Sequence, residues 1–537
     1  MLVQNFAQGR QVPPRRSAVM SSAAPPRAPL AALILSAFGA LMGGLFPISV
    51  IFSLGDIGGG LSASADDTAW LVTVYNVGQI LGQPLLMIMA GTFGRGAAMR
   101  LVGFGFAISS LAVSLAPSLG WAIIARGVQG VFGGVLPTFM MLLVMTSPLP
   151  GRARVAGLAA FSLASSVGLG LAAVVAAWLI DLGGWRALFW GQALMGLLYT
   201  GLAFSVLPGE RGDPKRLRMT DWGGYGLLSL ALGLLIVGVS EGERRFWFET
   251  WWITAALASG ALGLLLALRL IPQAPTPLLR LELLATPTLG WALVLQLLFR
   301  LGLMFGIVLA PQFLARFQGY RVEQLGPLLL PLAVATLAAG PAAWWTVCRF
   351  DPRLSLSMGM VCLSAAAGCA AFLSPDWAAP ELLGPMILIG VGQAFLGIAL
   401  LRFATWDITP ATQGPTVGMT FNYARVFGLA LGVTLASHTL VEREKFHSAR
   451  LVESLSTVDG AVSQRLTAQA GAFANWIPDP SAVQRASVAS LARAASGQAF
   501  AQGFADAFAV VALGLLLAAI LVWALPRLPT VPVDIRA

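Results

Sequence analysis

Long apolar runs alternate with short polar breaks along nearly the whole chain. A run of about twenty apolar residues crosses a bilayer as a helix. The pattern predicts spans at 29–53, 68–90, 97–117, 120–146, 155–180, 186–207, 222–240, 250–271, 289–314, 324–346, 354–374, 382–405, 413–439 and 504–526. The expected fold is all-α and integral to a membrane, with about fourteen transmembrane helices. A polar arm precedes the first run and many spans follow it, so that run is not read as a cleaved leader.

Composition agrees. Of 537 residues, 57% are hydrophobic and 10% charged, whereas soluble domains carry about 25% charged residues. The net charge of +10 does not point to nucleic acid, because the cations sit between apolar runs and not on one polar face. Cys348, Cys362 and Cys369 lie in or beside apolar runs. Their spacing suggests neither a metal site nor a disulfide framework, and no cofactor is expected.

Lys and Arg accumulate on cytoplasmic loops of membrane proteins. With the N-terminus placed inside, the cytoplasmic loops hold Arg95, Arg100, Arg152, Arg154, Lys215, Arg216 and Arg218, among others. The short outer loops hold Arg186, Arg244, Arg245, Arg316 and Arg321. The expected location is a bacterial inner membrane with both termini cytoplasmic. Residues 441–503 form a long outer segment, read as a helical hairpin turning at Pro478-Asp479-Pro480, with Ser481 as a cap. That hairpin is either a solvated element or a docking surface. Tryptophans such as Trp185, Trp190, Trp247, Trp251 and Trp252 fall near predicted interfaces, where headgroup anchoring is expected.

Several stretches carry a resemblance. Ala125-Arg126-Gly127-Val128-Gln129-Gly130 precedes Gly133-Gly134 in the fourth span. Gly184-Trp185-Arg186 precedes the sixth, and Asp221-Trp222-Gly223-Gly224 opens the seventh, which ends in Glu241-Gly242. Pro311-Gln312-Phe313-Leu314 ends the ninth, and Asn422-Tyr423-Ala424-Arg425 with Gly428 and Gly432 marks the thirteenth. In this order they resemble the major facilitator superfamily, in its fourteen-helix drug:proton antiporter branch of the EmrB/QacA type.

The resemblance implies a cytoplasmic arm (1–28), a six-helix bundle (29–207) and two inserted helices with linkers (208–288). A second bundle (289–526) would contain the outer segment 441–503, followed by a cytoplasmic tail (527–537). Substrate would bind between the bundles and the halves would rock around it. A proton-coupled multidrug exporter of small amphipathic molecules is implied, and a transport-inactive relative acting as a receptor or scaffold is the alternative. No enzymatic motif is present. EmrB-like relatives also imply a periplasmic adaptor and an outer-membrane channel.

The chain departs from that branch at acidic positions. The loop after the second span keeps Gly91, Thr92, Gly94 and Arg95 but lacks its acid, and the first span reads Leu45-Phe46-Pro47. The fifth span has Ala172-Ala173-Val174-Val175-Ala176-Ala177 where the branch has a Pro-Gly pattern.

Charge at bilayer depth is costly and asks for a function. Arg126, Arg300, Arg402 and Arg425 fall inside spans, while Asp181, Glu241, Glu323, Asp376 and Asp407 fall near span ends. Arginine stays protonated and favours carboxylate or phosphate partners. An Arg-only cleft therefore suggests an organic anion as substrate. Candidate cavity residues are Arg126, Gln129, Arg300, Arg425, Asn422, Tyr75, Gln79 and Gln312. Asn76 falls on the same span as Tyr75. Arg126, Asp351, Asp407 and Arg95 are coupling or gating candidates. Arg402, near a cytoplasmic end, is expected to snorkel to water. His438 and His447 fall at the outer end of the thirteenth span, either as exposed residues or as titrating groups.

Overall fold

A computed structural model of the chain describes residues 28–529 and 531, apart from 147–150, 208, 211, 407, 409 and 455–459. The N-terminal arm before Ala28, Arg211, Asp407 and residues 532–537 lie outside the described residues. The helices are α1 (Ala28–Phe52), α2 (Leu54–Gly60), α3 (Ala65–Phe93), α4 (Arg95–Ser114), α5 (Leu119–Thr146) and α6 (Gly151–Val206). They continue as α7 (Lys215–Met219), α8 (Trp222–Gly242), α9 (Trp251–Leu270), α10 (Leu281–Leu284), α11 (Pro287–Met304) and α12 (Ala310–Gln318). The last are α13 (Val322–Arg349), α14 (Pro352–Ala370), α15 (Ala379–Ala404), α16 (Pro410–Ser454), α17 (Gly460–Ala474) and α18 (Pro480–Leu521).

Thirteen helices among the described residues are long and apolar enough to cross a membrane. One of them, α6, is two helices joined at a break. Gly183 and Gly184 leave helical geometry there, and Gly184 takes φ +67°, a left-handed value that glycine adopts without steric cost. The fifth and sixth predicted spans are the two limbs of α6. Arg186, just after the break, donates from Nε to the Ser114 carbonyl at 3.1 Å. Trp185 is 6% exposed and packs edge-on against Phe189. It fills the interior and does not anchor to headgroups as expected, because the break turns it inward.

The exposure pattern inverts that of a soluble protein. Ile108, Leu265 and Leu517 are exposed, while Arg126, Gln83, Gln129 and Gln393 are buried. Lipid is the solvent that this surface suits. α1, α3, α4, α5 and α6 pack on one another as a first group, and α11, α13, α14, α15, α16 and α18 as a second. α8 and α9 pair with each other, and α8 also touches α3 of the first group and α16 of the second. The face near residues 95, 151, 215 and 352 is called here the terminal face, and the opposite one the distal face.

Two departures from the predicted elements have clear causes. Helix α16 runs to Ser454 and α18 starts at Pro480. The helices continue past the apolar runs because Ala, Glu, Gln and Arg there are good helix formers. The cap of α18 is Asp479 and not Ser481: its carboxylate accepts from the Ser481 N–H at 2.9 Å and the Ser481 hydroxyl at 2.8 Å. The ninth span is continuous through Pro311. It widens into a π-helical turn, Phe305–Leu309, between α11 and α12.

Small residues set the helix spacing near the centre. A Cβ added to Gly78 would stand 2.2 Å from the Gly127 carbonyl oxygen, and one on Gly130 would stand 2.3 Å from that of Tyr75. Thus α3 and α5 touch backbone to backbone, which is how glycine-rich helix pairs associate in lipid. Gly130→Val should separate these helices, because backbone cannot yield as a flexible side chain would. We expect a loss of at least about 1–3 kcal/mol, read as a lower midpoint of thermal unfolding in detergent. An unchanged midpoint would show that the contact is not tight.

Candidate functional site

A cavity of about 310 Å³ lies between the two helix groups. Its wall includes Gly44 and Pro47 of α1, Tyr75, Asn76 and Gln79 of α3, Arg126 of α5 and Ser165 of α6. Across it stand Arg300 of α11, Val308 of the π-turn, Gln312 of α12 and Arg425 of α16. Ser240, near the end of α8, and Arg244, in the turn after it, complete it. The cavity reaches the distal face, where Gln312 is exposed.

Three buried guanidinium groups meet here. Arg126 stacks over the Tyr75 ring, 4.0 Å from its centroid, an attraction between cation and π-cloud. Its Nη1 donates to Gln129 Oε1. Gln129 in turn donates to Gln192 Oε1 at 2.8 Å and to Ser110 Oγ at 2.5 Å. Gln129 therefore stands behind Arg126 and does not reach the cavity. Arg425 donates to Ser165 Oγ and to Gln79 Oε1, both at 3.4 Å. Arg300 lies over Phe299, 4.8 Å from the ring centroid, and makes no hydrogen bond among the described residues. A Cβ on Gly428 would stand 2.8 Å from that of Arg300, so glycine on α16 lets α11 bring Arg300 close to Arg425.

None of the three forms an ion pair among the described residues, and Nε of each is buried without a partner. Arg353, by contrast, is paired with Asp351 at 2.8 Å. Arg402 does not snorkel. It is 3% exposed and donates to the carbonyls of Val347 and Pro529, which leaves it beside the terminal face, away from the cavity.

Below the cavity the two groups are joined. Asn422 of α16 donates to Thr138 Oγ1 of α5 at 2.8 Å, and Thr138 donates to Gln83 Oε1 of α3 at 2.6 Å. Asn422 also lines a small recess with Arg300 and Arg425. The terminal side is closed in this conformation while the distal side is open.

The coupling candidates lie elsewhere. Asp351 caps α14, accepting from the Arg353 N–H at 3.0 Å. Arg95 forms a two-point ion pair with Glu210, at 2.9 and 2.5 Å. Glu210 thus supplies a partner from the loop after α6 where the motif acid is missing, and the Arg95 guanidinium holds its carboxyl below the usual range. On the distal face, burial and the neighbouring Glu323 push the Asp56 carboxyl up. His438 bonds Glu243 Oε2 at 2.8 Å, and His447 bonds Asp506 Oδ2 at 2.7 Å, so neither histidine is bare.

Sequence reasoning missed Ser165, Ser240, Thr73 and Arg244 in the wall. It placed Glu241 at a span end, and the structure buries it fully. The available signal was the Glu241–Arg244 spacing of three, one helical turn.

An unpaired buried cation is destabilising, and an apolar replacement of similar volume is neutral or better. Arg300→Met should therefore raise thermal stability in detergent, by about 1 kcal/mol. A clear fall in the unfolding midpoint would reveal a structural partner for Arg300.

Residues 30–433 match the family model described as the Major Facilitator Superfamily. The chain is 23% identical to the colistin resistance protein EmrB of Acinetobacter baumannii, over 80% of this chain and 83% of that one. It is 26% identical to the multidrug resistance protein Stp of Mycobacterium tuberculosis, over 77% and 74%. It is 28% identical to the cephamycin export protein CmcT of Amycolatopsis lactamdurans, over 62% and 68%. Among solved structures, the proton:xylose symporter XylE superposes with a TM-score of 0.56 at 13% identity, covering 93% of this chain and 96% of that one. The human organic anion transporter MFSD10 gives 0.56 at 15%, covering 92% and 100%. These two likenesses speak for the fold alone. With a cavity between two helix groups and a family match over most of its length, the chain belongs to the Major Facilitator Superfamily and is a secondary transporter.

Proposed function

We propose that this transporter exports small amphipathic organic anions across a bacterial inner membrane, coupled to protons, and that Arg126, Arg300 and Arg425 bind the anionic group. The observation that carries this reading is the convergence of three guanidinium groups without ion-pair partners on one cavity. At about 4 Å and an effective dielectric near 20, each attracts a unit anion by about 4 kcal/mol before desolvation. Three at once outweigh what a cation could gain from the polar wall. Apolar lining from Ile48, Leu169, Met304 and Val308 suits the rest of an amphipathic ligand.

The chain crosses the membrane fourteen times in this proposal, as two six-helix bundles and an inserted pair, with the terminal face in the cytoplasm. Tyr75, Gln79 and Gln312 are the polar contacts that orient substrate, while Gln129 and Asn422 position the arginines and the closed side. An anion leaving a negative interior moves with the field, worth about 2.3 kcal/mol per charge per 100 mV, so outward transport is the favoured direction. The hairpin of α17 and the distal part of α18 projects on the side of the cavity mouth. Its tip carries Trp476, 87% exposed, and we assign it to a periplasmic adaptor leading to an outer-membrane channel.

Vesicles containing the purified protein test the reading with a permanently charged aromatic sulfonate. Loss of a hydrogen bond to a charged group costs about 1.5–3 kcal/mol. Arg126→Ala, Arg300→Ala and Arg425→Ala should each raise the half-saturating sulfonate concentration about tenfold or more. Transport of cationic dyes at wild-type rates, with sulfonates neither carried nor inhibiting, would reject it. Adaptor capture by a chain lacking 455–500 should be lost, and undiminished capture would move docking elsewhere.

A further inference from the structure

One buried carboxylate directly behind the cavity wall, among the wall residues Thr73, Ser240 and Arg244, belongs to the inserted pair and not to either six-helix group. Glu241, near the distal end of α8, is fully buried. Its Oε1 accepts from Thr73 Oγ1 of α3 at 2.5 Å and from Arg244 Nη1 at 3.3 Å. Its Oε2 is buried and has no partner. Thr73 and Arg244 both line the cavity. A purely structural ion pair would be expected to satisfy both oxygens, since a bare buried oxygen is costly.

We propose that Glu241 is the proton-binding group of the transport cycle, and that its protonation frees Arg244 into the cavity mouth. This rests on the export reading above. A proton from the distal side bonds to Oε2, and the carboxylate charge is lost. Oε1 becomes a neutral carbonyl oxygen that still accepts from Thr73. The ion pair with Arg244 ends, and Arg244 becomes a guanidinium without a counter-charge at the mouth. An anion bound between Arg126, Arg300 and Arg425 then has a second cation on its way out. Loss of the proton restores the pair.

The charged groups next to Glu241 in the chain and across from it on α3 and α16 are engaged with one another. From the loop after α8, Glu243 Oε2 is held by His438 of α16 and by Trp247 Nε1, each at 2.8 Å. Arg245 meets Asp67 of α3 at 3.5 Å, and Asp67 also accepts from Ser64. Asp66 and Glu249 are exposed on the same face. The distal end of α9 carries no titratable side chain. Helix α8 is well placed to report on both halves, because Tyr225 bonds the Leu81 carbonyl of α3 and Thr434 of α16 bonds the Val239 carbonyl.

The test uses the full chain in vesicles with naphthalene sulfonate, whose charge does not vary with pH. Glu241→Gln keeps an acceptor for Thr73 and cannot ionise. The variant should exchange sulfonate across the membrane like wild type, yet lose accumulation driven by a pH gradient. His438→Gln should keep that accumulation. Gradient-driven accumulation by Glu241→Gln equal to wild type would overturn the proposal. Infrared difference spectra between the wild-type and Glu241→Gln proteins, recorded through an acid titration, give a readout that needs no substrate. A protonated-carboxyl component present in wild type and missing from the spectrum of Glu241→Gln, over the band that Asp56 and the exposed acids give in both, supports the assignment, and identical spectra overturn it. If wild type exchanges no sulfonate, the export reading fails, and the spectra still decide Glu241.

Discussion

A guanidinium group cannot shed its proton inside a protein, so a buried arginine must be given polar company or a ligand. Much of the central architecture here is arranged around that constraint. Backbone contact between α3 and α5 puts Tyr75 under Arg126, and glycine on α16 admits Arg300 beside Arg425. Amides and hydroxyls carry part of the load: Gln129 for Arg126, Ser165 and Gln79 for Arg425. Arg300 has an aromatic ring and the cavity. The charge that these contacts leave uncompensated is available to a ligand, and stability given up at a site is a common accompaniment of function.

The inserted pair changes how the two halves meet. Helix α8 lies along the seam between α3 and α16 and hydrogen-bonds to both, from Tyr225 near the terminal face to Glu243 at the distal one. It therefore borders the cavity, contributing Ser240, and the turn after it contributes Arg244. Here α8 brings Glu241, and the loop after α6 brings Glu210 to Arg95. Glu210 is thus returned in space to Arg95, far away along the chain, whereas Glu241 pairs locally with Arg244, three residues on.

The apolar runs revealed the helices because lipid demands the same length and composition of every span. They could not reveal where α16 and α18 stop, since good helix formers extend both beyond the membrane. Arginines inside spans were visible one by one. Their convergence depends on helix rotation and close packing, which the spacing of small residues only hints at. Tyr75 and Gln79, four apart, did share the cavity face, whereas Gln129, three from Arg126, turned behind it. Glu241 was placed at a span end because hydropathy falls there. Burial by α3 and α16 is a tertiary fact that no single-chain window contains.

The most direct measurement is equilibrium binding to purified protein of two aromatic ligands matched in size, naphthalene sulfonate and naphthylmethylammonium. If uncompensated guanidinium groups define the cavity, the sulfonate binds more tightly and weakens as salt is raised, and the ammonium does not compete. Equal or tighter binding of the ammonium would contradict the account at its base.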